Sequence, residues 1–454
     1  MRVTIRELAS FFEARFIEYR PVSEPFEALI QTDSRLVKPG NLFIAIPGEH
    51  LDGYRFIPEA IRQGAIGVIA EQPYPDCHAD FELIVPSTSR ALLTAAKKAL
   101  HTTSCQQIGI TGSAGKTTIK EMLSFLLSTS FKVAKTSGNY NTPVGVPLSI
   151  LAMDSDADFF ITELSASYPG EIDQNLAYLA LSDAVISSIG PSHLAFFQTV
   201  ENIVREKMKI GANLPADGSL LLPGDNPLIR TYPFQKQQVH FGLLPENDIQ
   251  AVDLIYQSDR VHYQVKLPGE TIRDLSLTAY GEHMVANSLP VIFLARKYSV
   301  PISLIKDALA AFSAPVGRGR CFQTKGGYSV VDETYNANPV SFKAALEAFS
   351  KTIFTRKLLV FSDMLELGEE SSSLHRSLAK DIANYSFQTV LYYGDYNEQI
   401  EPILLHAGFD YRYLPNLEEL EKAFLQSVLP GDGVLMKASN GKHLSILIQH
   451  LENQ

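Results

Sequence analysis

Ile108-Gly109-Ile110-Thr111-Gly112-Ser113-Ala114-Gly115-Lys116-Thr117-Thr118 is the stretch on which the reading of this chain turns. A short apolar run enters a glycine-rich turn. Beyond the turn, Ile119, Met122, Leu123, Leu126 and Leu127 recur at i, i+3, i+4, i+7 and i+8, the period of an amphipathic helix. Strand, glycine loop and helix in that order make a phosphate cradle. Glycines let successive backbone N–H groups turn toward phosphate oxygens, and the helix N-terminus adds positive potential. Lys116 is placed to neutralise the β- and γ-phosphates, and the Thr117 hydroxyl to hold Mg²⁺. The loop is a short form, because the position of the usual first glycine is Ile110. Gly112, Ser113, Ala114, Gly115, Lys116, Thr117 and Thr118 are therefore the candidate ATP-binding residues.

Outward from this loop, Gln107 to about Ala311 alternates strand and helix. An apparent β patch interrupts it around 239–279, where Val261, Tyr263, Val265 and Leu267 alternate with polar residues. Residues 1 to about 100 mix strand-like runs (Leu42–Ile46, Ile66–Ala70, Leu83–Val85) with turns such as Lys38-Pro39-Gly40 and Asp52-Gly53. Ser313-Ala314-Pro315-Val316-Gly317 reads as a hinge. After it, apolar strands ending at Asp332, Asp363, Gly394 and Lys437 are spaced by helix-length segments, the pattern of a parallel sheet with helices on its faces. The expectation is an α/β protein of three domains: a small N-terminal α/β domain (1–100), a central P-loop ATPase-like α/β domain (101–313) and a C-terminal Rossmann-like domain (314–454). At about 150 residues per domain, a chain of 454 residues agrees.

Composition removes several function classes. With 45% hydrophobic and 20% charged residues, the chain is neither disordered nor fibrous. Its longest apolar run, Leu289–Ala295, falls far short of the roughly 18 residues that span a bilayer. The N-terminal MRVTIRELASFFEAR has no apolar signal core. The three cysteines, Cys77, Cys105 and Cys321, are far apart and suit reduced thiols, not disulfides or a zinc site. A cytoplasmic protein is expected, with no membrane partner. Lys and Arg number 39 against 50 Asp and Glu, a formal charge of −11, which argues against nucleic acid. Any anionic ligand must be held by local cations and backbone N–H groups.

Three further residues stand out. Phe159-Phe160-Ile161-Thr162-Glu163 is an apolar strand ending in an acid. Carboxyl ends of strands face the ligand in nucleotide-binding sheets, so Glu163 is a candidate oxygen ligand for Mg²⁺. A second apolar run, Ala184–Ile189, leads to Gly190-Pro191-Ser192-His193. Then Val200, Ile203 and Val204 form an apolar helical stripe whose next member is Lys207. Desolvating an ammonium is costly. Snorkelling would explain it; the functional alternatives are an ion pair or a chemically modified amine in an active site.

The chain resembles the Mur ligases of bacterial cell-wall synthesis over essentially its whole length. The resemblance is carried by Thr32-Asp33-Ser34-Arg35 with Pro39-Gly40-Asn41-Leu42-Phe43, by Thr111–Thr118 with Lys120-Glu121, and by Gly138-Asn139-Tyr140-Asn141-Thr142-Pro143. It continues in Glu163-Leu164-Ser165-Ala166, Ser192-His193-Leu194, Gly317-Arg318-Gly319, Asp332-Glu333-Thr334-Tyr335-Asn336-Ala337-Asn338-Pro339 and Ser362-Asp363-Met364-Leu365-Glu366-Leu367-Gly368-Glu369.

It implies a monomeric enzyme that joins UDP-N-acetylmuramoyl-tripeptide to D-alanyl-D-alanine through an acyl phosphate, with ATP becoming ADP and phosphate. It further implies that Lys207 is carbamylated and, with His193, holds a second Mg²⁺, while Thr117 and Glu163 hold the first. Lys116, Lys207, His193 and Glu163 are thus the expected catalytic set. Asn287, Arg318 and Asp332 are expected at the nucleotide, and Ser34, Arg35, Asn139, Asn141 and Thr142 along the UDP-muramoyl path. Against the family pattern, Met284 replaces an adenine-contacting Asn, Asn440 replaces an Arg near the dipeptide, Tyr54 a His and Ser362 a Gly. Another amide ligase of the folylpolyglutamate type, or an ATP-gated binding protein, is the alternative.

Overall fold

Three sheets, each covered by the helices that connect its strands, account for most of the chain. The computed structural model describes residues 2–48, 52–138, 140–233, 238–257, 260–278 and 281–453. Among them the central sheet has nine strands, in the spatial order Glu270–Leu277, Val261–Leu267, Ile249–Tyr256, Gln238–Gly242, Leu220–Pro223, Asp183–Ile186, Gln106–Thr111, Phe159–Glu163 and Val133–Lys135. From Val133–Lys135 through Ile249–Tyr256 every pairing is parallel; the remaining two are antiparallel. The β patch around 239–279 therefore does not interrupt the α/β layer. It extends the same sheet as a wing. Val261, Tyr263, Val265 and Leu267 are all buried there, in one apolar cluster with the helix Glu282–Lys297, while the residues between them are more exposed. Parallel strands covered on both faces read as continuous apolar runs; a wing with one wet face alternates.

The phosphate-loop helix, Lys116–Leu127, buries Ile119, Met122, Leu123, Leu126 and Leu127 in that cluster. Each removes an aliphatic side chain from water, about 2 kcal/mol apiece, which fixes the helix and hence the loop at its N-terminus.

The N-terminal sheet runs Arg15–Glu18, Phe81–Ile84, Gly67–Ala70, Leu42–Ile44, Ile30–Gln31. The helix Thr88–His101 that follows it lies against the central helix Gly145–Ala152, and the two regions share one apolar cluster. The C-terminal sheet runs Arg320–Gln323, Ser329–Glu333, Gly433–Lys437, Lys357–Ser362, Thr389–Tyr393, Asp410–Tyr413. Only the first pairing is antiparallel, and separate apolar clusters cover the two faces. Among the described residues no helix is long and apolar enough to cross a membrane, and all three cysteines are free.

One polar tie pins the helix Glu282–Lys297 to the central sheet. Asp183 is fully buried; it accepts from Lys297 Nζ at 2.5 Å, Tyr298 Oη at 2.6 Å and Ser219 N at 2.7 Å. Removing one side of a buried charged cluster strands its partners. Asp183→Ala is expected to destabilise the protein by on the order of 3 kcal/mol, seen as a lower urea midpoint at unchanged slope.

Candidate active site

The phosphate loop is built on two close approaches. Gly112 has φ +147°, and a β-carbon there would lie 2.0 Å from Ser187 Oγ. Gly115 has φ +83°, and a β-carbon would lie 2.7 Å from Asn287 Oδ1. Both need a residue without a side chain. Between them the loop is tied to the end of the neighbouring strand: Ser113 N donates to Ser188 O at 2.8 Å, and Ala114 N to Ser188 Oγ at 2.9 Å. The helix that starts at Lys116 has no side-chain cap. Its first N–H groups are thus available to an anion, as a phosphate site requires. Lys116 curls back over the loop, with Nζ donating to Gly112 O at 2.8 Å. Burial pulls its pKa below the ordinary lysine value, with Arg318 adding to this and Glu163 opposing it.

Thr117 and Glu163 meet beneath the loop. Thr117 Oγ1 donates to Glu163 Oε2 at 2.6 Å, and Asn141 Nδ2 to Glu163 Oε1 at 3.3 Å. They meet because Gln106–Thr111 and Phe159–Glu163 are adjacent parallel strands in register, so the loop and the acid leave the sheet at the same edge. Hydroxyl, carboxylate and carboxamide oxygens suit a hard divalent cation. Among the described residues no trio of His, Cys, Asp and Glu gathers closely enough to hold a metal alone. A Mg²⁺ ion would complete its shell with phosphate oxygens and water, its usual habit.

Lys207 is 1% exposed, yet its side chain reaches the wall of the same cavity, which encloses about 670 Å³. Among the described residues its Nζ makes no hydrogen bond or ion pair. Burial drives its pKa well below the ordinary value, and Lys116 adds to this against the pull of Glu171 and Glu206. The amine is held toward its neutral, nucleophilic form. His193 lines the cavity as well. Burial, then Lys116 and Lys207, lower its pKa to about 4, so its ring is neutral at pH 7. Its Nδ1 lies 3.3 Å from Glu366 Oε2 of the C-terminal domain.

The C-terminal domain closes the cavity from above. Arg318 stacks on Tyr335, with its guanidinium carbon 3.8 Å from the ring centre, and Asn338 Nδ2 donates to the phosphate-loop carbonyl of Ser113 at 3.3 Å. Thr118, Asn287, Asn141 and Thr142 also line the cavity. Asn141, expected along a sugar path, stands at Glu163.

Three of the expected residues stand apart from this cavity. Asp332 does not line the cavity. It is fully buried: Oδ2 accepts from Gly317 N at 2.7 Å, and Oδ1 from Thr334 N at 3.1 Å and Thr334 Oγ1 at 2.7 Å. Side chains alternate across a strand, so it is the next residue, Glu333, that faces the cavity, steadied by the fully buried Lys437 at 3.2 Å. Asp332 instead shapes the loop that carries Arg318. Ser34 and Arg35 are not brought to the cavity either. Ser34 is buried and donates to Glu59 Oε2 at 2.6 Å, whereas Arg35 is exposed and paired with Asp33. Asn139 lies outside the described residues. Met284 does line the cavity, whereas Asn440, in the turn Asn440–Lys442, does not. Sequence reasoning missed Glu333, Tyr335 and Asn338 as site residues, although all three stand in a stretch already singled out.

The family profiles described as Mur ligase family catalytic domain, Mur ligase middle domain and Mur ligase glutamate ligase domain match residues 28–98, 110–295 and 317–440. UDP-N-acetylmuramoyl-tripeptide–D-alanyl-D-alanine ligase of Bacillus subtilis is 32% identical over 427 residues, covering 93% of this chain and 92% of that protein. The chain belongs to the Mur ligase family. Among solved Mur ligases, MurF from Acinetobacter baumannii superposes with a TM-score of 0.87 at 25% identity, covering 100% of this chain and 99% of that one. MurF from Thermotoga maritima in complex with ADP gives 0.81 at 28% identity, covering 95% and 99%.

The Asp332 and Glu333 geometries separate two effects. Glu333→Gln, which leaves the buried Lys437 an amide oxygen in place of its carboxylate, is expected to weaken nucleoside triphosphate binding about tenfold, the loss of one charge-assisted contact, with a smaller fall in melting temperature than Asp332→Ala. Asp332→Ala is expected to lower the melting temperature, since it strands three donors. Calorimetric titration and thermal melting of both variants check this.

Proposed function

We propose that this chain is an ATP-dependent amide ligase that joins UDP-N-acetylmuramoyl-tripeptide to D-alanyl-D-alanine. The observation that carries the reading is the meeting, in one interdomain cavity, of an uncapped phosphate loop, a buried carboxylate and a buried lysine whose amine has no hydrogen bond or ion pair among the described residues. It occurs in a chain whose likeness to tripeptide–dipeptide ligases runs through all three domains.

The chemistry follows from the substrates. A carboxylate at neutral pH is a poor acyl donor. Its oxygen forms a bond to the γ-phosphorus of ATP as the bond to ADP breaks, giving an acyl phosphate. The amine of the dipeptide then attacks the acyl carbon, and phosphate leaves through a tetrahedral intermediate. Phosphoryl transfer asks mainly for positioning and charge neutralisation. Lys116 and Arg318 face the triphosphate with fixed cations, Arg318 as a planar fork braced on Tyr335. Thr117 and Glu163 would hold one Mg²⁺, with His193 and a carbamate on Lys207 at a second; bound there, the ions would neutralise charge on the reacting oxygens. The neutral amine of Lys207 is the form that can add to CO₂, and the cations near it would stabilise the resulting anion.

The first domain, residues 1–100, takes the UDP end. Ser34 and Arg35 stand there; the exposed Arg35 can exchange Asp33 for a diphosphate. Asn141 and Thr142 meet the muramoyl end where it enters the cavity of the central domain, 101–313. The C-terminal domain, 314–454, brings Arg318 and Glu333 and closes over the dipeptide. The enzyme acts as a monomer in the cytoplasm.

Phosphate release from ATP is expected only when muramoyl-tripeptide and D-alanyl-D-alanine are both present. Equal turnover with D-alanine or glutamate as acceptor would overturn the assignment. Lys207→Ala is expected to lose more than 99% of activity and to regain part of it with added short carboxylic acids, which supply the missing anionic oxygens. Full activity of that variant without such acids would remove the carbamate role.

A further inference from the structure

One buried charge takes no part in the mechanism above. Lys120, one helical turn beyond Lys116, is fully buried. Its Nζ donates to Thr136 O at 2.7 Å, reaches Gly138 O at 3.5 Å and lies 3.3 Å from Glu121 Oε1. Glu121 in turn pairs with Lys135. An ammonium at 0% exposure is kept only where its donors are all in use. Here two of its three partners are backbone carbonyls of the segment that leaves the strand Val133–Lys135, and the third is the Glu121 carboxylate.

That segment is wired to the acid of the site. Thr136 Oγ1 accepts from Glu163 N at 3.2 Å, and Thr136 N donates to Ile161 O at 3.1 Å. Further along, Asn141 O accepts from Ser165 N at 3.0 Å, while its side chain donates to Glu163 Oε1. The buried lysine thus grips the near end of a segment whose other contacts hold Glu163 from both its backbone and its carboxylate. Asn141 and Thr142, at the far end, line the cavity.

We propose that Lys120 is a positioning residue. It holds the carbonyls of Thr136 and Gly138, so that Glu163 is aimed at the cation and the chain leading to Asn141 and Thr142 is anchored for the muramoyl substrate, and it touches neither ATP nor the reacting atoms. This deepens the reading of function given above and rests on it for the substrate, though not for the clamp itself. A fixed second layer of this kind sets how well a first layer of ligands is aimed. Its effect is therefore confined to one side of the cavity. The phosphate loop is held separately, through Ser187 and Ser188.

The test compares Lys120→Met, which keeps the aliphatic stem, with the wild-type enzyme. The expected result is a rise of about tenfold, one charge-assisted contact, in both the KM for the UDP-muramoyl substrate and the Mg²⁺ concentration for half activity. The KM for ATP should stay within twofold. Amide exchange provides a readout independent of turnover: Glu163 N and Ser165 N should exchange at least tenfold faster, and the strand Gln106–Thr111 should not. In a double-mutant cycle, Asn141→Ala should add little to Lys120→Met, because both act through one segment. If Lys120→Met does not fold, Thr136→Val cuts the next link of the same chain and should give the same split. Equal rises in every KM, or unchanged exchange at Glu163 and Ser165, would overturn the proposal. Absence of turnover by the wild-type enzyme would count against the ligase reading alone, since the exchange measurement still decides the clamp.

Discussion

The short hydrogen bond between Thr117 Oγ1 and Glu163 Oε2 is the constraint on which the rest of this molecule depends. It exists only because two neighbouring parallel strands end together, one in a glycine loop and one in an acid. The loop itself packs against Ser187 and Asn287 only because Gly112 and Gly115 lack side chains. Every other group in the cavity is arranged about this pair: Lys116 above it, Asn141 against the free carboxylate oxygen, Lys207 and His193 on the wall, and the C-terminal domain closing over the top.

Charge explains much of that arrangement. A chain with a formal charge of −11 must hold triphosphate and diphosphate ligands against its own overall field. It does so by concentrating cations where water is excluded. Lys116 and Arg318 converge on the loop, and burial, with repulsion from Lys116, favours a neutral amine at Lys207. The same burial that makes an ammonium costly there makes a carbamate chemically accessible, so an awkward cation becomes an oxygen ligand in the proposed mechanism.

Much of this was legible residue by residue. The phosphate loop announced itself because strand, glycines, Lys-Thr and amphipathic helix all carry local signatures. Lys207 was visible because it breaks an apolar stripe of known period. The wing at 239–279 was seen as β structure but not as part of the central sheet, since pairing between distant strands leaves no local trace. Asp332 is the acid expected at the nucleotide, and in the fold its neighbour Glu333 lines the cavity. The period of 2 says that adjacent side chains diverge, but not which of the two faces looks into a cavity formed with another domain. Lys120 carries part of the family resemblance, but its clamping contacts leave no local trace, because the segment that buries it arrives from elsewhere in the chain.

The sequence by itself therefore determined what depends on neighbours in the chain: the elements and their periods, the glycine turn and the chemical types of the residues in the site. The tertiary structure alone decided which of those residues face one another. Asn141 stands at Glu163, Glu333 displaces Asp332 at the cavity, and Arg35 is turned to Asp33 on the surface. The physical reason is that side-chain direction is local, whereas burial and electrostatic environment are summed over atoms brought together from all three domains.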